Sequence, residues 1–420
     1  MIYDAAIIGA GPAGLLCARQ SARRGLRTAL IDSHAEPGAK LAVSGGGRGN
    51  VTNRILAQNR YLGEDTALLR SVLRSFTCED ALALMRELRL PVEERDFGQI
   101  FGLRPASLLA ERLAVQCDDA GVDFYLGETV GRILRPAASE HSFGGTEDEF
   151  FVLFTSRERI RARTLVLACG SPACPQLGGS DRLARLAVSW GHTLVPFRPV
   201  LVPLIMPDGW PLAGLEGISL NVRLGLERGG SVSWPDPEGI RPLLFTHRGV
   251  SGPAVLTVSC WWRPGDGLVI DFLPELSVST LLDARENSRL LVKNLLSRHL
   301  PARLAKALCP PELAERKTAG LSRKDRQRLA DACHRFRAAP TGTEGMKRAE
   351  AAAGGIALAS LSRRLESLSV PGLFFCGEIV DITGLLGGYN IHWAFASGQL
   401  VGNALAETLK KPRPHHGRQG

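Results

Sequence analysis

The chain begins with a short apolar segment that leads directly into a glycine-rich turn. Residues 5–8 form an apolar run typical of a buried parallel strand, and three glycines follow with G-x-G-x-x-G spacing, Gly9, Gly11 and Gly14. Residues 12–24 are predicted to be helical, and a second apolar strand ends at Asp32. A strand, a glycine turn, a helix and a strand ending in an acid form a dinucleotide-binding βαβ unit. This order predicts an α/β fold with a Rossmann-like domain.

The residue types in this unit suit a nucleotide with a pyrophosphate. Gly9 permits the turn, Gly11 lets the backbone approach the pyrophosphate, and Gly14 allows the helix to pack closely on the strand. The N-terminus of the helix offers free N–H groups and a positive dipole end. Asp32 can accept hydrogen bonds from a ribose diol, and an acid at this position disfavours a 2′-phosphate, so we do not expect NADP at this site.

Composition limits the class of protein. A length of 420 residues predicts two or three domains, and 45% hydrophobic with 22% charged residues is typical of a globular protein. The nine cysteines contain no C-x-x-C pair, so we expect reduced thiols, a cytoplasmic location and no metal site. The sequence shows no secretory signal and no apolar stretch long enough to span a membrane.

The net charge of +9 and the pI near 9.3 permit an anionic partner. The densest basic run, residues 315–337, is mixed in sign and poor in aromatic residues. A solvated helical face is favoured over an RNA-binding surface, and both interpretations stay open.

Three separated glycine clusters indicate an extended cofactor. After the first fingerprint come "LAVSGGGRGNVTN" at 41–53, the strand end "TLVLACGS" at 164–171, and "GLFFCGEIVDITGLLGGYNIHWAFASG" at 372–398. FAD uses all of them: adenosine and pyrophosphate at the N-terminal unit, the ribityl chain near Gly377, and the isoalloxazine at the turn before Tyr389. NAD would leave the last cluster without a role. The sequence has one G-x-G-x-x-G fingerprint, so a second nucleotide domain is not expected.

The sequence thus predicts a discontinuous FAD-binding domain, residues 1–195 and 344–412. A β-rich inserted domain is expected at 196–275, a helical segment at 276–343 and a disordered tail at 413–420, and residues 60–95 are predicted to be helical. The residues expected to bind FAD are Gly9, Gly11, Pro12, Ala13, Gly14, Asp32, Ser33, Lys40, Ser44, Gly45, Gly46, Arg48, Asn50, Thr52, Asn53, Val130, Ala168, Cys169, Gly170, Gly377, Glu378, Gly387, Gly388, Tyr389 and Asn390.

These motifs resemble those of the BaiN/YhiN-like flavoproteins, a family often labelled aminoacetone-oxidase-like. The resemblance lies in "SGGGR-x-N-x-TN", in "FTHRGVSGPAVL" at 245–256 and in "GE-x-x-D-x-x-G-x-x-GGYN-x-x-WA-x-x-SG". It implies a discontinuous FAD domain interrupted by a β-barrel-like domain and a helical segment. This chain has Gly49 where the family usually has cysteine, Asp32 where it often has glutamate, and no "TMESK"-like run. These departures indicate a divergent subfamily whose substrate does not follow from the resemblance.

Two side chains are candidates for catalysis. His247 lies in the family-like segment and is either a proton donor over the flavin or a histidine that caps the following turn. Tyr389 lies at the predicted helix start, where side chains meet the flavin edge. Asn390 either contacts the flavin or caps the helix, and His392 is expected to serve helix packing.

The functional prediction is an FAD-dependent oxidoreductase that passes a hydride between flavin N5 and a small organic substrate. The resemblance implies reduction of a conjugated ketone or oxidation of an amine, with NAD(P)H as a transient reductant. The alternative is a flavoprotein that binds or modifies tRNA through its basic helical segment. A third hypothesis is a flavin-binding regulator without turnover. The sequence leaves the oligomeric state open.

Overall fold

The computed structural model describes residues 1–136 and 150–410 of the chain. The chain divides into two compact units: a first unit, Met1–Arg198 with the chain from Ala351 on, and an inserted unit, Pro199–Glu350. The boundaries predicted from the sequence lie nearby, at residues 196 and 344. The predicted disordered tail lies outside the described residues.

The first unit is interrupted by the insertion. Before it come β1 (Ile2–Ile8), α1 (Pro12–Arg23), β2 (Thr28–Asp32), α2 (Ala39–Val43), β3 (Asn50–Asn53), β4 (Tyr61–Leu62), α3 (Thr66–Ser75), α4 (Cys78–Glu87), β5 (Val92–Arg95), β6 (Gln99–Gly102), α5 (Ala106–Asp119), β7 (Asp123–Leu126), β8 (Arg132–Leu134), β9 (Phe151–Phe154), β10 (Arg159–Leu167), α6 (Arg182–Ser189) and β11 (Leu194–Val200).

The inserted unit and the return to the first unit follow in the chain. The inserted unit contains β12 (Leu204–Ile205), β13 (Ser219–Arg228), β14 (Ser231–Ser233), β15 (Ile240–Thr246), β16 (Gly249–Ser251), α7 (Pro253–Ser259), β17 (Gly267–Asp271), α8 (Val278–Asp283), α9 (Val292–Ser297), α10 (Ala302–Leu308), α11 (Arg323–His334), β18 (Phe336–Ala338) and β19 (Gly342–Thr343). The first unit resumes with β20 (Ala351–Ile356), β21 (Leu373–Phe375), β22 (Thr383–Gly384) and α12 (Tyr389–Lys410).

A seven-stranded sheet forms the centre of the first unit, in the order β7-β2-β1-β10-β9-β8 with β21 also beside β10. The strands β1, β2, β7, β10 and β21 run parallel, and β9 and β8 continue the sheet antiparallel. Strands β1, β2 and the second half of β10 are apolar and buried almost throughout, as expected for parallel strands that are covered on both faces. Their carboxyl ends bring the residues that follow Ile8, Ile31, Leu167 and Phe375 to one edge, which confirms the predicted α/β fold with a Rossmann-type unit.

Two helices of the first unit pack unusually closely. A Cβ atom on Gly398 of α12 would lie 2.3 Å from the carbonyl oxygen of Ala13, and one on Gly402 would lie 2.8 Å from that of Cys17. Both glycines are on the same face of α12 because they are four residues apart. The first and last helices of the unit are therefore in backbone contact.

The inserted unit contains an eight-stranded antiparallel sheet, in the order β18-β17-β13-β15-β16-β12-β19 with β14 beside β13. The strands at the two ends of this order, β18 and β19, are separated in the chain by residues 339–341 alone. Such a short connection requires the sheet to curl until its edges approach each other. The sheet and helices α8 to α11 share one hydrophobic core, which includes Val222, Phe245, Phe272, Leu295, Leu304 and Leu329.

Four short segments differ from the sequence prediction. Residues 276–343 were expected to be helical, but β18 and β19 at their end join the sheet by pairing with β17 and β12. Within the predicted helical region 60–95, β4 pairs with β22, and the charged segment Val92–Arg95 is β5, a strand that pairs with β6. These strands have two to four residues, too few to show a period, and long-range pairing decides their conformation. Within the described parts of the chain, no helix has both the length and the apolar character needed to cross a membrane.

Candidate cofactor site

The three glycines of the fingerprint serve different purposes. Gly9 has φ of +112°, and a Cβ there would lie 2.4 Å from the carbonyl oxygen of Ala168. A Cβ on Gly14 would lie 1.8 Å from the carbonyl oxygen of Gly9. Gly11 has an ordinary φ of −76°, and a Cβ there would meet no protein atom within 4 Å. The protein itself requires glycine at 9 and 14, whereas Gly11 leaves open space at the helix start.

The N-terminus of α1 is built to receive an anion. Gly11 provides no side-chain cap, Pro12 occupies the first turn, and this turn contains no acidic residue. The backbone N–H groups of the first turn have no partner within a helix, and the aligned peptide dipoles make this end positive. The amides of Ala13 and Gly14 belong to this turn. A pyrophosphate matches both the N–H groups and the charge.

Asp32 ends β2 and holds the glycine turn in place. Its Oδ2 accepts a hydrogen bond from the amide of Ala10 at 2.6 Å, and its Oδ1 accepts from the amide of His34 at 2.8 Å. Oδ1 also lies 3.0 Å from Nδ1 of His34. Each carboxylate oxygen has about two acceptor positions, so the capacity left for a further hydrogen bond is at Oδ2. Ser33 is exposed, and Val130 is buried. The contact of Asp32 with a ribose stays a prediction.

The second glycine cluster is a loop that only glycine adopts easily. Its four glycines have φ values of +56°, +67°, +84° and +69°, at Gly45, Gly46, Gly47 and Gly49. The left-handed region is costly for a side chain with a Cβ. Gly49, at the family's cysteine position, therefore holds this conformation without strain.

The two polar side chains of this loop point to different environments. Ser44 donates its hydroxyl to the carbonyl of Leu41 at 2.7 Å. Arg48 is exposed, and its Nη1 lies 3.8 Å from Oε1 of Glu93. In the structure the partner of Arg48 is this surface carboxylate, and its contact with FAD stays a prediction.

Strand β3, which follows the loop, contacts the start of α12. Asn53 donates from Nδ2 to the carbonyl of Gly387 at 2.9 Å. Gly388 has φ of +92°, and a Cβ there would lie 2.4 Å from the carbonyl oxygen of Thr52 and 2.6 Å from Oδ1 of Asn50. That Asn50 oxygen is buried and has no hydrogen-bond partner among the described residues. An unused acceptor thus lies beside the helix start where the flavin ring is expected.

His392 connects β3 to α12 from within the core. Its side chain is fully buried, with Nδ1 2.8 Å from the Thr52 hydroxyl and Nε2 3.0 Å from the carbonyl of Phe76. A carbonyl only accepts, so Nε2 carries the proton and the Thr52 hydroxyl donates to Nδ1. Burial lowers the pKa of His392 to about 4. The ring is therefore neutral and structural, as packing on the last helix predicts.

The protonation of His392 predicts how stability depends on pH. In the unfolded chain this ring gains a proton below its ordinary pKa of 6.5, whereas the folded protein excludes the proton until about pH 4. Stability should therefore fall as pH falls through this window, by up to about 3 kcal/mol in total. Urea unfolding followed by circular dichroism at pH 7 and pH 4.5 measures it.

The matched variants are His392→Gln, which cannot titrate, and His299→Gln, at an exposed position. We expect the pH dependence to shrink in the first and to stay in the second. An unchanged dependence in His392→Gln would show that other groups cause it.

Lys40 and Glu378 bring the two ends of the first unit together. Nζ of Lys40 donates to Oε2 of Glu378 at 2.7 Å, and the Ser171 hydroxyl donates to the same oxygen at 3.1 Å. Both members of the ion pair are partly buried. All three residues were brought to one place from α2, from the segment after β10 and from the turn after β21. The pair holds a carboxylate where the ribityl chain is expected.

Gly377 is fixed by α12. It has φ of +77°, its amide donates to the Ser397 hydroxyl at 2.9 Å, and its carbonyl accepts from Nε1 of Trp393 at 3.1 Å. These roles of Trp393 and Ser397 were not predicted from the sequence. Their signal in the sequence is the four-residue spacing, which places both on one face of a helix.

The end of β10 lies at the same edge of the sheet. Ala168 follows the strand and donates its amide to the carbonyl of Ile8 at 2.8 Å, and Gly170 has φ of +73°. Burial raises the pKa of Cys169 to about 12, so its thiol is protonated at neutral pH. Residues 168–170 are therefore uncharged where they line this edge of the sheet.

The side chains at the start of α12 are largely occupied. Asn390 accepts from the amide of Gly384 at 2.8 Å and donates to the carbonyl of the same residue at 2.8 Å. The side chain of Asn390 therefore stabilises the turn at Gly384, a role that was not predicted, and its contact with the flavin stays a prediction. Tyr389 is 1% exposed and packs edge to face on Tyr61, with ring centroids 5.5 Å apart. Burial and the neighbouring Tyr389 raise the pKa of Tyr61 well above its ordinary value. Tyr61 was not predicted to lie beside Tyr389, because it belongs to no recognisable motif.

His247 lies in the inserted unit, in the turn between β15 and β16. Its side chain is 90% exposed, and its Nδ1 lies 3.6 Å from Oε1 of Glu216. The role of His247 as a proton donor stays a prediction.

The residues of this site fit FAD. Three features favour it: the open space at Gly11, the uncapped start of α1, and the unused acceptor of Asn50 beside Gly388. Pyrophosphate would be held at the helix start, and the ring beside the start of α12, whose first turn contains no acid. When bound, FAD supplies a hydride at flavin N5. The positive end of α12 would stabilise negative charge on the reduced ring.

Comparison with known proteins supports this assignment. Residues 3–404 match the family described as HI0933-like protein Rossmann domain. The chain is 34% identical to the ribosomal RNA dihydrouridine synthase of Escherichia coli strain K12, over 94% of this chain and 96% of that protein. It is 29% identical to the 3-dehydro-bile acid delta(4,6)-reductase of Clostridium scindens, over 96% and 98% of the two chains.

A solved structure shares the architecture. The 3-ketosteroid-delta4-(5alpha)-dehydrogenase of Rhodococcus jostii RHA1 superposes with a TM-score of 0.51 at 15% identity, over 96% of this chain and 97% of that chain. At this identity the likeness concerns the fold alone. Together with the family match and the cofactor site, these findings show that the chain belongs to the HI0933-like Rossmann-domain family and is an FAD-dependent oxidoreductase.

Proposed function

We propose that this enzyme reduces the C5=C6 double bond of uracil in ribosomal RNA to give 5,6-dihydrouridine. The observation that carries the proposal is the 34% identity, over nearly the whole of both chains, to a protein named for this activity. The E. coli protein and this chain are of similar length, so the likeness includes both the cofactor unit and the inserted unit.

This reaction combines two predictions made from the sequence, the reduction of a conjugated double bond and the action on RNA. The C5=C6 bond of uracil is conjugated with the C4 carbonyl, as the double bond of a conjugated ketone is with its carbonyl. A hydride is added at C6, a proton is added at C5, and the cofactor is left oxidised. A reductant must restore it, and we propose NADH or NADPH in that role. An RNA substrate of this kind also favours a cytoplasmic location.

The residues of the chain have defined tasks in this scheme. The start of α1 and Lys40 with Glu378 hold the cofactor, and the start of α12 offsets negative charge on the ring. Tyr389 and His247 are the candidate proton donors for C5. Tyr389 has the advantage of lying at the turn where the ring is expected, and His247 that of belonging to a family-like segment.

A second candidate function rests on the relative from C. scindens, whose name describes reduction of a 3-dehydro bile acid. It would apply the same hydride addition to a conjugated ketone. Amine oxidation, which the resemblance also implied, gains no support from the relatives described above.

The test begins with purified yellow protein mixed anaerobically with NADH or NADPH. We expect one of them to bleach the flavin, and we expect unmodified ribosomal RNA to restore the colour. Digestion and mass spectrometry should then find uridine that has gained two hydrogen atoms. The same assay separates the two candidate proton donors, Tyr389 and His247. Of the variants Tyr389→Phe and His247→Gln, the one that lacks the proton donor should form dihydrouridine more slowly while its FAD content stays normal.

The control is RNA in which the uridines are already reduced, which should not reoxidise the flavin. Bleached flavin that ignores RNA but is reoxidised by a conjugated ketone would contradict the proposal and favour the second candidate. Flavin that neither nucleotide bleaches would contradict the role of NAD(P)H.

A further inference from the structure

The positive charge of this protein is concentrated in one part of the inserted unit. Residues 284–337, called here the basic segment, contain 14 Lys and Arg and 5 Asp and Glu. Their excess equals the net charge of +9 of the whole chain. The rest of the chain is balanced, so any long-range attraction of a polyanion originates in this segment.

This excess already counts the five acids, and two further cations, Arg326 and Arg337, pair with Asp283 and Glu227 outside the segment. Three of the five acids form ion pairs within the segment: Glu312 with Arg328, Glu315 with Lys293, and Asp325 with Arg316. They leave a set of exposed cations that have no ion pair among the described residues: Arg285, Arg289, Lys306, Lys317, Arg323, Lys324 and Arg335.

The fold gathers several of these cations. Leu291 lies opposite Lys317 in an antiparallel bridge, and the amide of Thr318 donates to the carbonyl of Leu290 at 3.0 Å. This bridge brings the chain next to Arg289 beside Lys317, and both of these cations are exposed.

The same region continues into α11. Arg323 and Lys324 are its first two residues, directly after the capping Ser322. The positive end of a helix favours acids, so two exposed cations there oppose the dipole and each other. A bound polyanion would remove this repulsion.

The composition of the segment also indicates how a nucleic acid would be bound. Phe336 is its only aromatic residue, and it is partly buried against the core. The segment therefore offers no aromatic platform for unstacked bases, whereas its Lys and Arg side chains suit phosphates of any sequence.

We propose that the basic segment binds the phosphate backbone of ribosomal RNA, without reading its sequence, and so brings the substrate to the enzyme. This inference rests on the proposed function for the identity of the RNA. The amount of charge and the absence of a stacking surface favour structured RNA over a single strand with a defined sequence.

The test measures binding of a labelled ribosomal RNA hairpin to the oxidised holoenzyme by fluorescence anisotropy over a salt series. The variant is Lys317→Glu, Arg323→Glu, Lys324→Glu; glutamate in the first turn of α11 suits the helix dipole, so the fold should be kept. The matched control reverses three exposed arginines of the first unit, Arg24→Glu, Arg74→Glu, Arg112→Glu, which changes the net charge equally.

We expect the variant to bind at least 10-fold more weakly than the wild type at moderate salt. Loss of three phosphate contacts should reduce the slope of log K against log salt by roughly 2 to 3. The control should keep most of the affinity and the slope. A hairpin of unrelated sequence should bind with similar affinity, since the contacts are to phosphate.

Three results would overturn the inference. They are equal weakening in the variant and the control, no measurable binding of RNA by the wild type, and tighter binding of anionic phospholipid vesicles than of RNA with the same dependence on the three residues.

The binding test is separable from the test of function because no reductant is present. RNA held through the basic segment without formation of dihydrouridine would refute the proposed function and support this surface. Normal formation of dihydrouridine by the triple variant, with unchanged RNA affinity, would support the proposed function and refute binding through the basic segment.

Discussion

Gly11→Val is expected to give a folded protein that has lost its cofactor. The new side chain meets no protein atom within 4 Å at its Cβ, and φ of −76° is open to valine. Valine is a poorer N-cap than glycine, which costs about 1 kcal/mol or less. Its methyl groups would, however, fill the space that a pyrophosphate needs to reach the amides of α1. We expect FAD affinity to fall at least about 100-fold, equivalent to about 2.7 kcal/mol.

The measurement is the ratio of flavin to protein absorbance after purification, followed by titration with FAD. Circular dichroism should show an ordinary folded spectrum. Gly342→Val is the matched control, because that glycine also has open space at its Cβ and lies in the inserted unit. Yellow Gly11→Val protein with an unchanged FAD affinity would refute the placement of the pyrophosphate.

Gly398→Ala should destabilise the first unit, although helix propensity predicts the opposite. Replacing glycine by alanine inside a helix is worth about 1 kcal/mol in favour of alanine. Here the added methyl would lie 2.3 Å from the carbonyl oxygen of Ala13, so α1 and α12 must move apart. Overpacking of this kind costs about 1–3 kcal/mol, and backbone contact places it at the upper end. We expect a net loss of about 2 kcal/mol and weaker FAD binding, because Ala13 is in the first turn of α1.

Urea unfolding of the holoenzyme measures the change, with Gln399→Ala, the next residue of the helix, as the control. That variant should be nearly neutral. Stabilisation by Gly398→Ala would mean that the two helices are further apart than the structure shows.

Most of the first unit could be predicted because its signals are local. Four or more apolar residues before a G-x-G-x-x-G turn and an acid at the end of the next strand are read within a single βαβ unit. The order of β1, α1 and β2 is therefore confirmed, and so is the α/β class. The short strands β4, β5, β18 and β19 could not be predicted, because two to four residues carry no period and only their partners make them strands.

The site divides in a similar way. The glycines could be predicted as site residues because the backbone conformations and close contacts that a cofactor loop needs require glycine, and glycine is visible in the sequence. Residue type alone does not tell which polar atoms the protein already uses. Asn50 and Asn390 look equivalent in the sequence. Asn390, however, uses both its oxygen and its nitrogen in hydrogen bonds to Gly384, whereas the buried Asn50 oxygen beside Gly388 has no partner among the described residues.

The sequence by itself determined the nucleotide-binding unit, the extended flavin cofactor and the excess of basic residues, since each follows from residue types at short spacing. Only the tertiary structure decided that Lys40 meets Glu378, that Thr52 meets His392, and that α12 lies against the backbone of α1. These contacts join residues more than three hundred positions apart. Their geometry depends on how the whole sheet is assembled, which no local pattern encodes.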